Sequence, residues 1–393
     1  MLRAPLLLFV ALVACSNYAA EPAIDAAFPG GNILVEKFEG DTFFVRQDLR
    51  DTEGDWFYWC FRVRGAAGKT LTFTFTGSDV IGVRGPAMSR DGKEWKWLGR
   101  ENVKGKSFSH HFDADAGDVY FAMGIPYVEK NLKDFLAKYS SRTELKTDVL
   151  CKSQKGRETE LLHVGRLDGN AAHRVVLTAR HHACEMMADY QMEGMIEQVL
   201  ADNDSGKWLR ENVEFLIVPF MDKDGVESGD QGKNRKPHDH NRDYLGESLY
   251  PSVAALKKLL PEWAGGNLRI ALDMHCPGIR GHEHEVIHFV GGPGEGNWFR
   301  VGRLSKLLEK VQQGPLVFSE KDNLPFGKSW NTLKDARSFG RWAESLPGVN
   351  IASTIEIPFA NAGGKEVTAE SARAFGRDLA RAMAEFLKGE LTP

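Results

Sequence analysis

Apolar and polar positions follow two rhythms along this chain. From about residue 30 to 125 the apolar segments are short. Residues 57–63 are almost wholly aromatic or apolar, and residues 70–75 (Thr-Leu-Thr-Phe-Thr-Phe) alternate with period two, placing Leu71, Phe73 and Phe75 on one face. Residues 94–97 and 118–123 continue the pattern, with Gly, Asp and Asn between the segments. This predicts an antiparallel β-sandwich of about a hundred residues. After about residue 140 the rhythm lengthens. Strand-like runs at 174–178, 213–220, 268–274 and 351–357 alternate with helical stretches at 185–200, 248–260, 297–313 and 368–387. The alternation predicts an α/β fold, with a mixed, mostly parallel sheet flanked by helices. The expected division is a leader over 1–20, the sandwich over 21–138 and the α/β domain over 139–393.

Composition narrows the picture. The chain has 393 residues, 42% hydrophobic and 26% charged, which excludes wholesale disorder. A net charge of −4 offers no basic footprint for nucleic acid. Met1-Leu2-Arg3 followed by an apolar stretch to Ala14 has the form of a secretory signal peptide. Leu12-Val13-Ala14-Cys15 resembles a bacterial lipoprotein box, which makes Cys15 a candidate lipid anchor; Ala14-Cys15-Ser16 suits ordinary cleavage as well. No other segment is long and apolar enough to span a bilayer. The chain is therefore expected to be exported: periplasmic, secreted or lipid-anchored. Five cysteines without close pairs do not form a disulfide framework.

In open α/β sheets, ligands bind beyond the carboxyl ends of the strands. His182 and Glu185 follow the strand ending near Ala179, His275 ends another, and Glu356 lies near the end of a third. Two imidazoles and a carboxylate are a common ligand set for a catalytic zinc, with the fourth position left open. His182 and Glu185, three apart at the start of a helix, would face one side, and His275 would close the set. A carboxylate outside the set, such as Glu356, would accept a proton from water, whose pKa a bound zinc lowers to about 7. His-x-x-Glu alone arises often by chance; its position beside His275 and Glu356 gives it weight. The loop at 234–242 (Asn-Arg-Lys-Pro-His-Asp-His-Asn-Arg) carries two arginines suited to a carboxylate, or is simply a solvated basic loop. His282, His284 and His288 also invite a metal reading, but a strand over 285–290 would spread such residues over two faces. His181 is expected to point away from the metal.

The ordered set resembles the zinc carboxypeptidases, and within them the cytosolic carboxypeptidase branch. The matching pieces are Arg180-His181-His182-Ala183-Cys184-Glu185, Asp222-Lys223-Asp224-Gly225-Val226, Asp239-His240-Asn241-Arg242, Leu272-Asp273-Met274-His275 and Ser353-Thr354-Ile355-Glu356. Residues 56–63 and 119–127 are similar to that branch's N-terminal sandwich. The resemblance implies one zinc per chain held by His182, Glu185 and His275, with Glu356 as general base. Asn241 and Arg242 would hold the terminal carboxylate of a peptide, and Arg235 would polarise the scissile carbonyl. It implies hydrolysis of C-terminal peptide bonds. A deacylase acting on N-acyl amino acids, or a non-catalytic binding protein of the same fold, are the alternatives. One departure is that no tyrosine follows Tyr250, so the family's closing tyrosine is missing. Before the base, where the side-chain pocket forms, stand Lys328, Lys334 and Arg337, read either as a basic pocket or as surface charge.

Overall fold

The computed structural model of the protein describes residues 21–332, 334, 335 and 337–390, with the backbone alone at Glu390. The leader reading over 1–20, with Cys15, lies outside the described residues. Residues 23–122 form two five-stranded sheets. In Thr70–Phe75 the alternation does what the sequence pattern requires. Leu71, Phe73 and Phe75 are buried between the sheets, and Thr72 and Thr74 face out to bond Ser109 and Ser107 at 2.9 Å. The sandwich core is aromatic. Phe73 packs against Phe61, Phe108 and Phe121 with centroids 4.8–5.4 Å apart, and the buried Trp59 indole donates to the Val80 carbonyl at 2.9 Å. One pair departs from the antiparallel expectation: Thr42–Arg46 runs parallel to Thr70–Phe75. The intervening chain visits the other sheet as Cys60–Arg64 and returns in the same direction, which is what a parallel pair needs.

The second part is built on a seven-stranded sheet in the order Leu145–Lys152, Glu158–Gly165, Val213–Val218, His173–Ala179, Leu268–His275, Ile351–Glu356, His288–Val290. The middle four strands are parallel; the others join antiparallel, so the sheet is mixed with a parallel centre. Alternate side chains feed opposite faces. Ile270, Leu272 and Met274 enter the core beneath helices Met187–Leu200, Glu295–Val311 and Ala369–Glu390, while Leu268 and Ala271 meet helix Pro251–Ala264. Helix Met187–Leu200 is buried almost all round, as its weak polar stripe anticipates. It crosses Ala369–Glu390 so closely that a Cβ on Gly194 would lie 1.9 Å from the Arg373 carbonyl, and one on Gly376 1.9 Å from that of Gln191.

The parallel register brings strand ends together. Ala179 pairs with Met274, Met274 with Ile355 and His275 with Glu356, so three strands end along one line.

Candidate metal centre and cleft

Beyond that line the chain turns sharply. Arg180 takes a left-handed φ of 58°, a conformation non-glycine residues avoid unless their surroundings hold it. Here the buried guanidinium is fixed by Asp189 Oδ2 at 2.6 Å and the Tyr127 carbonyl at 2.9 Å. The turn sends His181 one way and His182 the other. Helix Met187–Leu200 begins two residues later than the sequence predicts, so His182 and Glu185 sit on the turn before it rather than on its first turn.

The ligand atoms of His182, Glu185 and His275 lie within 4.8 Å of one another, and all three residues are buried. Both imidazoles aim Nδ1 at the Glu185 carboxylate: His182 at 3.0 Å from Oε1 and His275 at 2.5 Å from Oε2. The far nitrogen of His275 lies 2.6 Å from Asp273 Oδ2. A second carboxylate at the outer nitrogen is how metal-bound histidines are oriented. Two imidazole nitrogens and a carboxylate converging in a buried pocket match the donors a tetrahedral zinc takes. His181 also lies within reach of Asp273 and His275, forming a second candidate group. Its own nitrogens are taken, Nδ1 by Asp273 Oδ1 at 2.7 Å and Nε2 by the Tyr244 hydroxyl at 2.7 Å. It therefore braces Asp273, which in turn braces His275.

Burial works against the charge on Glu185, but Lys233 and the two histidines outweigh it and hold the carboxyl well below its usual range. The same burial acts on Glu356 with less opposition, and its carboxyl is pushed up to about 7. Glu356 is buried and its Oε2 has no hydrogen-bond partner among the described residues. It lines the same cleft as His182, Glu185 and Arg242, a cavity of about 670 Å³.

Asn241 and Arg242 are brought to this centre by a short 3₁₀ turn, His240–Arg242. Asn241 Oδ1 accepts from the Phe339 amide at 3.0 Å, and its Nδ2 lies 3.1 Å from His275 Nε2. Arg242 borders both the cleft and a smaller recess of about 110 Å³ that reaches Arg341, Ser353 and Thr354. Lys328, Lys334 and Arg337 do not line that recess; all three are exposed, and Arg337 pairs with Asp335. The basic side chains bordering the recess are Arg242 and Arg341.

Arg235 is the departure that corrects the sequence reading. Its guanidinium lies 2.6 Å from Asp222, 3.0 Å from Asp51 and 3.1 Å from Asp230, and it borders a different cavity, of about 610 Å³. A group held by three carboxylates is not presented to the cleft. Lys233 does border the cleft, together with Arg242 and Arg280, and its Nζ is 2.6 Å from Glu185 Oε1. Sequence reasoning passed over Lys233, Asp273, Tyr244, Trp330 and Arg341. The nearest signals were a lysine two residues before Arg235 and an aspartate two before His275. His282 and His284 form a short 3₁₀ turn apart from the ligand set, and His288 is on the edge strand. Cys184 and Cys276 are buried free thiols.

Residues 128–258 match the zinc carboxypeptidase family, a stretch that holds His182, Glu185, Asn241 and Arg242. The chain is 28% identical over 395 residues to cytosolic carboxypeptidase 2 of Danio rerio, covering 88% of this chain and 52% of that protein. It is 29% identical over 229 residues to an uncharacterized protein of Zymomonas mobilis, covering 56% of this chain and 59% of that one. The chain thus spans little more than half the length of these relatives. In fold it is similar to a metallo-carboxypeptidase from Burkholderia cenocepacia, with a TM-score of 0.79, 19% identity and coverage of 94% and 99% of the two chains. It is also similar to a metallo-carboxypeptidase from Pseudomonas aeruginosa, with a TM-score of 0.77, 21% identity and coverage of 93% and 99%. The chain is thus similar to the zinc carboxypeptidases over residues 128–258 and to a cytosolic carboxypeptidase over most of its length, and it shares the fold of bacterial metallo-carboxypeptidases.

Proposed function

We propose that the protein is a zinc-dependent metallocarboxypeptidase that hydrolyses the C-terminal peptide bond of peptides. The observation that carries the reading is the meeting, in one cleft, of a three-ligand metal set with a buried carboxylate oxygen that has no hydrogen-bond partner among the described residues. His182, Glu185 and His275 would hold the zinc, which when bound polarises a carbonyl and acidifies water. Everything else falls to the chain's own groups. Arg242, at the junction of cleft and recess, binds the terminal carboxylate of the peptide by charge-assisted hydrogen bonds, with Asn241 beside it. The last side chain then occupies the recess. Glu356 takes a proton from the attacking water and passes it to the departing amine. A carboxyl near neutrality serves both transfers, since it neither holds nor releases a proton too firmly.

Asp273 and His181 keep His275 in one orientation. Trp330, half-exposed at the rim of cleft and recess, is positioned to cover a bound peptide where the family's tyrosine is missing.

Export through residues 1–20 belongs to the same proposal, and the N-terminal sequence of protein recovered from a bacterial envelope fraction tests it. No helix among the described residues is long and apolar enough to cross a membrane.

The activity is tested by incubating the protein with a mixed peptide library, with and without a chelator. Release of C-terminal amino acids that stops with chelator is the expected result. Release from acetylated amino acids, but not from peptides, would instead identify a deacylase. Bound zinc without any release would leave a binding role.

A further inference from the structure

We propose that Lys233 is the cation that stabilises the negative charge developing on the scissile carbonyl oxygen, the task the family pattern gives to Arg235. The inference rests on the metallocarboxypeptidase reading above. The backbone itself delivers Lys233. Gly232 has φ +73° and lies so close to the turn carrying His182 that a Cβ would stand 2.1 Å from the Ala183 amide nitrogen. Only glycine allows this approach and this φ together. The next side chain is thereby directed to Glu185, where Nζ rests at 2.6 Å. The ammonium also lies 4.5 Å from the centre of the Trp56 ring, a face that holds a cation without neutralising it. Its neighbours in the cleft include Glu356 and Arg242.

Arg235 has the opposite setting. Drawing it into the cleft would take their shared counter-charge from Asp51, Asp222 and Asp230, leaving only Asp230 with another arginine, Arg50. Among the described residues Lys233 pairs with one carboxylate, that of Glu185, and Glu185 is a candidate metal ligand. Glu185, if it held a divalent cation with His182 and His275, would have less negative charge to offer the ammonium. Nζ is then free to turn into the cleft, a movement suited to a compact charge on a flexible stem. In the reaction, the water oxygen adds to the carbonyl carbon and the carbonyl π pair moves onto its oxygen. Lys233 donates a hydrogen bond to that oxygen. It forms no covalent bond, and the interaction relaxes when the C–N bond breaks and the carbonyl re-forms. Because the charge exists only in the transition state, Lys233 acts on kcat and not on ground-state binding.

The test compares zinc-loaded wild type with Lys233→Met and Lys233→Arg. The probes are an N-blocked dipeptide, its phosphonate analogue and the free amino-acid product. Zinc content is measured by atomic absorption, and zinc affinity of the metal-free proteins by competition with a chromophoric chelator. In Lys233→Met, kcat is expected to fall about 100- to 1000-fold with KM within about threefold of wild type. Phosphonate affinity should fall in parallel while product affinity holds, and Lys233→Arg should recover part of the loss. Zinc should bind Lys233→Met at least as tightly as wild type, because no ammonium competes for Glu185. Lys233→Gln replaces the methionine variant if that does not fold.

Unchanged kcat and phosphonate affinity in zinc-loaded Lys233→Met would overturn the proposal. So would equal losses in phosphonate and product affinity, or loss of zinc. If wild type releases no amino acid yet binds the phosphonate through Lys233, the carboxypeptidase reading fails and the placement of Lys233 stands.

Discussion

Two clefts rich in charged residues share the loop formed by residues 230–242 as part of their walls. On one side, Arg235 is surrounded by Asp51, Asp222 and Asp230, the first of them contributed by the sandwich. On the other, Glu185 gathers His182, His275 and Lys233, while Glu356 Oε2 has no partner among the described residues. The first arrangement surrounds one cation with several anions and joins the two parts of the molecule. Asp51 also accepts from the Gln231 and Gly232 amides at 3.0 and 2.8 Å, and Gln231 exchanges hydrogen bonds with the Tyr58 backbone at 2.8 Å. The second leaves a carboxylate unanswered and crowds ligand atoms around a common point. A saturated buried charge network holds a fold together; an unsaturated one has capacity left for a metal, a water or a substrate. The sandwich thereby supplies one of the three carboxylates that hold Arg235 away from the cleft.

Substitutions sharpen the contrast, and their expected effects on turnover descend in order. His275→Ala removes one of three ligands, and both zinc content and chelator-sensitive release should be lost; retention of full zinc would exclude His275 from the set. Glu356→Gln keeps the shape and the metal but removes the proton acceptor. Turnover should drop about a thousandfold with zinc content unchanged, measured side by side on one preparation. Arg242→Ala should raise KM about 10- to 100-fold for peptides with a free C-terminus, from the loss of a charge-assisted hydrogen bond. C-terminally amidated peptides should be no worse than with wild type, and an equal loss on both would remove Arg242 from carboxylate binding. Arg235→Met, on the saturated side, should leave the kcat of folded protein within about threefold. It should instead cost about 3–5 kcal/mol of stability in urea unfolding, because Asp51 and the buried Asp222 lose their arginine and Asp230 keeps only Arg50. A large kcat loss with unchanged stability would restore Arg235 to the cleft and break the comparison.

Much of the fold is legible in the sequence because the signals are local and periodic. Thr70–Phe75 can be read to the residue, since a strict period of two has one solution. Apolar patterning locates the strand Leu268–His275 and the helix Ala369–Glu390 to within a few residues. The candidate ligands stand out because they lie at a strand end or on the turn just beyond one, and parallel strands end together. Arg235 departs from its expected place for a reason no spacing reveals. Whether an arginine enters a cleft depends on the carboxylates around it, and one of those lies 184 residues away. The recess gives the same lesson: Lys328, Lys334 and Arg337 share its stretch of sequence but not its surface, while Arg341, four residues on and in the helix Phe339–Ala343, does face it.

The sequence by itself determined the two-part α/β and β architecture, the candidate ligand set and the candidate base, because these follow from side-chain periodicity and from chemistry placed at strand ends. Only the tertiary structure decided which cation faces the cleft, how His181 and Asp273 brace His275, and which residues shape the recess. Those outcomes depend on charge neutralisation and packing between segments far apart in the chain. A linear pattern records which groups are present, and the fold decides which of them still lack a partner.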